Sequence, residues 1–276
     1  MSTQAPTQDQ IRTAWDTIAS GYDQHVTPHN AQLGEAALAR AGLRAGEHFL
    51  DVAAGSGALS IPAARLGADV VATDIAPTMI ERLKARASAE GLTIDARVMD
   101  GQALDLAENT FDVVGSQHGV ALFPNLTGAL AGMVRVTKPG GRVVVVNFGA
   151  LPKVEFIGLF MGALRAAVPE FQPPTEPLRL AFQVAEPGLL RNRLSSAGLT
   201  KVDVETITWQ QHFDSATQYW NMITSSNPIA KQALVQATEE QRGDVRRVLD
   251  GMFRERSDGK PGVTLNAEIN IGVGTK

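Results

Sequence analysis

The sequence predicts an α/β fold: a doubly wound, mostly parallel sheet of seven strands, ending in an antiparallel C-terminal hairpin and covered at one end by a helical lid. Three observations lead there. Between residues 48 and 148, short Val- and Leu-rich runs with little polar alternation are separated by stretches of helical spacing, the pattern of parallel strands covered on both faces. Beyond residue 150 two runs, Val202–Phe213 and Val263–Val273, alternate apolar with polar, as strands with one exposed face do. Between those two runs lies more helix than the sheet can use, and with residues 151–180 it is expected to form the lid.

Taken in order, residues 1–8 are polar and expected to be disordered. Ile11, Trp15 and Ile18, with Ala14 and Ala19, mark one face of a short helix that stops near Ser20-Gly21, and the loop HVTPHN (residues 25–30) follows. Leu33, Ala37 and Leu38 define a second helix over about Gln32–Ala41, ended by Gly42. His48–Val52 is the first strand, and Ser60–Arg65 opens a helix with Pro62 in its first turn. Asp69–Thr73 is the second strand, Pro77–Ala89 a helix with Met79, Ile80 and Leu83 apolar, Thr93–Met99 the third strand and Phe111–Ser116 the fourth. Leu126–Val136 is a helix closed by Lys138-Pro139-Gly140-Gly141, and Arg142–Phe148 is the fifth strand. An apolar helix over Lys153–Val168, the proline-rich stretch Pro169–Pro177 and a helix over Glu186–Ala197 come next. Val202–Phe213 is an edge strand, 214–257 holds two or three helices, and Val263–Val273 is the last strand. The chain thus divides into covering helices (1–45), a ligand-binding core (46–150) and a remainder (151–276) that carries lid insertions at about 151–180 and 214–257.

A chain of 276 residues can bury roughly three quarters of its unfolded surface, enough for a core with an enclosed pocket. A net charge of −4, from 25 basic and 29 acidic residues, offers no basic face, so no nucleic-acid partner is expected. The lack of cysteine excludes disulfides, thiolate ligation of metals and cysteine nucleophiles. None of the five histidines stands in an H-x-x-H spacing, and no metal is expected. No apolar run is long enough to span a bilayer, and the polar start MSTQAPTQDQ does not read as a secretory signal; the expectation is a cytoplasmic location.

The first strand ends in Asp51-Val-Ala-Ala-Gly55-Ser-Gly57. Glycines at 55 and 57 permit a tight turn and let a ligand touch the backbone. In an open α/β sheet that is where ligands bind. The second strand ends in Asp74, 23 residues after Asp51, where a carboxylate can grip the hydroxyls of a ribose. A nicotinamide dinucleotide is the functional rival, but its G-x-G-x-x-G fingerprint would need glycine at Ser60. A carboxylate at Asp51 would also repel a diphosphate.

With Asp51, Gly55, Gly57 and Asp74 in place, the sequence resembles the class I S-adenosylmethionine (SAM)-dependent methyltransferases, a Rossmann-like family, and within them the ubiquinone/menaquinone-biosynthesis-like branch (methyltransferase domain 11/25). The likeness covers about residues 15–148: WDTIASGYD (Trp15–Asp23), FLDVAAGSGAL, Met99-Asp100-Gly101-Gln102-Ala103, FDVVGSQHGVALFPN (Phe111–Asn125) and K-P-G-G. Ala53 stands where the family often has glycine, and His118 where many relatives carry an aromatic apolar residue. The resemblance implies SAM as cofactor and S-adenosylhomocysteine as product. It implies that Tyr22 approaches the methionine part, Asp74 the ribose, and Ile75 and Asp100 the adenine, with Ala53, Met79, Gly101, Gln102, Ala103, Gln117 and His118 completing the contacts.

Methyl transfer from a sulfonium is an in-line displacement with a good neutral leaving group, so alignment is most of the work. A base is needed only when the acceptor keeps its proton, and histidine suits that role. His118, just past the fourth strand, reads either as a base or substrate-orienting group or as a polar support for its loop; His29 is a second catalytic candidate. His48 lies at the wrong end of the sheet and His212 on an edge strand. The lid is apolar, with Phe156, Phe160, Met161, Phe171, Phe182, Trp209 and Trp220, which suits a small apolar acceptor such as a quinone, phenol, polyketide or lipid-like molecule, methylated on O or C. The alternatives are an N-methyltransferase of a small amine and a SAM-binding protein without transfer. The apolar insertions can pack on a second subunit as readily as on their own sheet, which leaves a homodimer open.

Overall fold

Continuous apolar runs become strands here because both of their faces find cover. The computed structural model describes residues 7–171, 180–235 and 237–276. Its strands are β1 (His48–Val52), β2 (Asp69–Asp74), β3 (Asp95–Val98), β4 (Phe111–Gln117), β5 (Thr137–Phe148), β6 (Thr200–Phe213) and β7 (Val263–Thr275). They form one sheet in the order β3-β2-β1-β4-β5-β7-β6. The first five are parallel, and β7 runs antiparallel to both β5 and β6. The strand order reverses between β1 and β4, so a ligand crevice opens at the carboxyl ends of these two strands.

The side chains of β1 divide between two cores. Phe49, with Val70, Val113, Val144 and Val146, faces the helices α2 (Thr27–Ala41) and α3 (Ser60–Arg65). Leu50 and Val52, with Val114, Val143 and Val145, face α5 (Leu126–Val136) and α7 (Pro187–Ser196). Helix α4 (Pro77–Ala89) covers β2 and β3, setting Ile80 and Leu83 against Ala72 and Ala96. The predicted lid segments form α6 (Glu155–Ala167), α8 (Ala216–Ser226), α9 (Pro228–Val235) and α10 (Glu239–Ser257), and they join the first of these cores. The Tyr219 hydroxyl of α8 donates to the carbonyl of Phe156, tying the two predicted lid segments together. No helix among the described residues is long and apolar enough to cross a membrane.

The N-terminus departs from its sequence-based expectation. Helix α1 spans Gln8–His25, and it neither stops at Ser20-Gly21 nor gives way to a loop. Thr7 and Gln10 form a capping box that fixes its start, so the disorder expected over 1–8 does not extend to Thr7 and Gln8; residues 1–6 lie outside the described residues. Gly21 costs helix propensity but lets α1 approach α8: a Cβ added there would lie 2.4 Å from the carbonyl oxygen of Ser225. HVTPHN is almost wholly helical too, because Pro28 suits the first turn of α2. Of the proline-rich stretch, residues 172–177 lie outside the described residues. Strand β5 begins five residues earlier than expected, at Thr137, as the C-terminal Lys276 exchanges backbone hydrogen bonds with Gly140 and Gly141.

Candidate active site

Strand β1 delivers Asp51 to the crevice, 1% exposed. One carboxylate oxygen, Oδ2, accepts the Ser60 hydroxyl at 2.6 Å; the other, Oδ1, is buried without a partner. The chain then turns sharply. Ala53, Gly55 and Gly57 all adopt positive φ, at 59°, 54° and 100°. For Ala53 that conformation is uncommon, and its methyl leaves no room opposite: a Cβ on Gly119 would sit 2.4 Å from the Ala53 Cβ. Asp74 at the tip of β2 stitches the turn to its own loop. Its Oδ2 accepts the Gly55 N–H at 2.8 Å and its Oδ1 the Ala76 N–H at 2.9 Å.

Helix α1 is clamped over this loop. Gln8 donates to Asp100 Oδ2 at 2.5 Å, Asp16 accepts the Thr78 N–H at 2.9 Å, and Asp23 pairs with Arg86 at 2.5 Å. Beneath it lies a narrow cavity lined by Tyr22, Asn30, Asp51, Ala53, Ala54, Gly55, Ala58, Leu59 and Gln117. Gln117, at the end of β4, donates its Nε2 to the carbonyl of Asn30 at 2.8 Å, and its Oε1 is buried without a partner.

Burial governs the protonation of this end of the sheet. It raises Asp51 to about 7, with Asp74 adding repulsion and the Ser60 hydroxyl opposing. It raises Asp74 to about 6 against the pull of the Ala76 and Gly55 amides. Tyr22 is pushed up to about 12, so it remains a neutral phenol.

At the end of β4, His118 takes φ 59° and donates its N–H to the Val146 carbonyl at 2.7 Å. Its ring stacks on Phe148 at 4.2 Å, and Phe156 and Phe182 lie around Phe148 at 5.5 and 6.5 Å. Both ring nitrogens are buried without a partner. Burial lowers the imidazole to about 4, with no charged group contributing, so the ring is neutral at physiological pH. Phe182 is held from behind. Gln183 donates to the carbonyls of Ala121 and Phe123, Asn147 to Val184 and Asn270 to Ala185. Of the six buried side-chain atoms without a partner among the described residues, five belong to Asp51, Gln117, His118 and Asn147, all at the carboxyl ends of β1, β4 and β5.

The structure thus brings Tyr22, Asp51, Ala53, Gly55 and Gln117 together around one cavity. Gly57 and Asp74 shape its loop. Asp100, Gly101, Gln102 and Ala103 form a turn beside it, in which Asp100 Oδ1 accepts the Gln102 N–H and a Cβ on Gly101 would meet Phe123 and Val52 within 2.8 Å. Ile75 follows Asp74 and is half-buried, and Met79 is buried against Ile18, Ala19 and Ala76. His118 stands at the end of β4, outside the lining of that cavity. His29 is exposed on α2, outside the lining as well, and His48 and His212 are exposed on their strands. Sequence reasoning missed Asn30, Ala54, Ala58 and Leu59. A signal for Asn30 was available: with Thr27 it continues the buried stripe of Leu33, Gly34, Ala37, Leu38 and Ala41 toward the start of the helix, a polar side chain on an otherwise apolar face.

Residues 50–145 match the family model of the methyltransferase domain. A demethylmenaquinone methyltransferase of Renibacterium salmoninarum is 38% identical over 146 residues, covering 51% of this chain and 59% of that protein. A nocamycin O-methyltransferase of Saccharothrix syringae is 34% identical over 173 residues, covering 58% of this chain and 61% of that one. The chain spans about half the length of the curated relatives it matches. Among solved structures, the 4+2 cyclase SpnF superposes with a TM-score of 0.61 over 99% of this chain and 97% of that one, at 17% identity, which is a likeness of fold.

Proposed function

We propose that this chain, a class I SAM-dependent methyltransferase by the domain in residues 50–145, moves a methyl group to an oxygen or carbon atom of a small, largely apolar acceptor. The cofactor suits the residues present. Asp51 Oδ1 and Gln117 Oε1 are buried acceptors without a partner, as the ammonium of a methionine moiety requires. Asp74 already draws in two amide N–H groups and keeps lone pairs for the ribose hydroxyls. Asp100 and Gln102 would hold the adenine end. When bound, SAM supplies a methyl group activated by its sulfonium.

The observation that carries the acceptor class is His118. A neutral imidazole with both nitrogens bare, stacked on Phe148 with Phe156 and Phe182 close by, suits a flat apolar molecule with one hydroxyl or enolisable carbon. His118 would accept the proton that the acceptor loses, while the aromatic side chains exclude water and orient the ring. The names of the two relatives, a quinone and a natural-product O-methyltransferase, support the same class. One observation keeps a reading without transfer in view: the cyclase SpnF shares this fold. Incubation with methyl-labelled SAM and parallel panels of phenols, quinones, enols and amines tests the proposal. Label is expected in hydroxylated or quinonoid apolar acceptors; label confined to amines, or cofactor binding with no transfer, would overturn it.

The raised carboxyls make cofactor binding depend on pH. A folded Asp51 near 7, above its ordinary 3.8, means that the folded chain holds an extra proton between about pH 4 and 7, so this group destabilises the free protein increasingly as pH rises through that window. A cationic ligand reverses the preference and favours the carboxylate. Binding at pH 6.5 should therefore release protons, and affinity should fall several-fold from pH 8 to pH 6. Calorimetry in two buffers of different ionisation enthalpy measures the proton count; equal heats in both would contradict the burial of a protonatable Asp51.

A further inference from the structure

His118 is placed by its backbone. Both ring nitrogens are buried without a partner, so no hydrogen bond of the imidazole sets where it stands. The stack on Phe148 supports one face of the ring, and the chain beneath does the rest. That chain is fastened to the turn after β1 at two points. The fully buried Ser116 hydroxyl donates to the Val52 carbonyl at 2.7 Å and accepts the Val120 N–H at 3.0 Å. Its single proton is thereby spoken for, and its oxygen joins the end of β1 to the far side of His118. Between Ser116 and Val120, Gly119 lies on Ala53. A Cβ there would collide with the Ala53 methyl and stand 3.1 Å from Ser116 Oγ and 3.2 Å from the Ala53 carbonyl oxygen.

Strain marks the same contact. Ala53 and His118 both take φ 59°, a conformation that non-glycine residues keep only where their surroundings over-determine it. The strained turn at Ala53 also lines the cofactor cavity and carries Gly55, whose N–H goes to Asp74. In-line transfer tolerates little misplacement, since about 1 Å can cost roughly a hundredfold in rate. A proton acceptor on a loop of its own would be poorly aimed. The geometry points to Ser116 as a positioning residue for His118 which, together with the Ala53–Gly119 contact, keys the loop after β4 to the cofactor turn, so that one frame holds the imidazole and the methyl donor. Ser116 lies outside the lining of the cavity and acts only through its neighbours. This role rests on the reading of His118 as the group that accepts the proton.

Proton NMR of the imidazole Cε1–H signals reads the place of the ring directly, with the His118 signal assigned by its loss in His118→Asn. In the parent protein that signal should stay fixed from pH 8 down to about 5, while those of the exposed His29, His48 and His212 move. Ser116→Ala leaves the Val52 carbonyl and the Val120 N–H without their partner, and the loosened ring should titrate about one pH unit or more higher, toward the ordinary 6.5. Gly119→Ala should do the same. Adding Ala53→Gly to it should bring the titration back, because the methyl that the new Cβ meets is gone. An unchanged titration in Ser116→Ala, a Gly119→Ala variant that Ala53→Gly does not restore, or a parental His118 that titrates with the exposed histidines would each refute the keying. If Ser116→Ala does not melt as a folded protein, the Ala53 and Gly119 variants decide alone. Parental turnover in His118→Asn would instead sink the proton-accepting role and leave the keying in place, so the two failures are distinct.

Discussion

Replacing Asp74 with alanine should lower affinity for S-adenosylhomocysteine by at least about a hundredfold. The carboxylate does two things at once. It accepts the Gly55 and Ala76 N–H groups at 2.8 and 2.9 Å, which holds the turn after β1 against the tip of β2, and it keeps lone pairs for two ribose hydroxyls. Hydrogen bonds to a charged group contribute about 1.5–3 kcal/mol each, so losing two exceeds the 2.7 kcal/mol of a hundredfold change. Removing a raised carboxyl relieves some burial and some repulsion from Asp16, but it leaves two amides unpaired, and that penalty is the larger. Asp74→Asn retains one acceptor and should lie between the parent and the alanine variant. Calorimetry on variants whose melting shows them folded reads the effect; unchanged affinity would refute the ribose assignment.

His118→Asn should reduce turnover by about 10²–10⁴-fold while leaving affinity for the cofactor within about twofold. Asparagine is the instructive substitution because residue 118 holds φ 59°, a conformation that asparagine tolerates and alanine resists. The variant removes the proton-accepting nitrogen without unsettling the end of β4. The pH profile of the parent supplies a second check. A folded value near 4, below the ordinary 6.5, places the loss of the neutral ring well on the acid side, so turnover at saturating cofactor should hold from pH 8 down to about 5. A variant with parental turnover would reduce His118 to a support for its loop and leave alignment alone to account for the rate.

Much of the fold was legible because burial on both faces leaves a plain mark in the residues. The apolar runs of β1 and β4 were located to within a residue, and His48–Val52, Ser60–Arg65, Pro77–Ala89 and Leu126–Val136 coincide with the elements found. The alternation of Val202–Phe213 and Val263–Val273 foretold the antiparallel pair β6 and β7. The N-terminal helices were misjudged where local signals and tertiary packing disagree. Gly21 reads as a helix stop, yet it is retained inside α1 because α8 passes too close for any side chain. The proline of HVTPHN reads as a loop, yet it starts α2.

The sequence by itself determined the loop from Asp51 to Gly57 and the acid Asp74, since tight turns and strand-tip carboxylates depend on residue types at fixed spacing. Only the tertiary structure could show that Ala53 adopts a glycine-like conformation against Gly119, that the Asn30 carbonyl takes the Gln117 amide, and that His118 loses its charge beside Phe148. These features bring together residues as far as 87 positions apart, and the direction of a hydrogen bond or the fate of a proton depends on neighbours that sequence spacing does not reveal. The proposed acceptor site belongs to this second group, because the aromatic side chains near His118 come from β5, α6 and the segment around Phe182, which only the fold brings together.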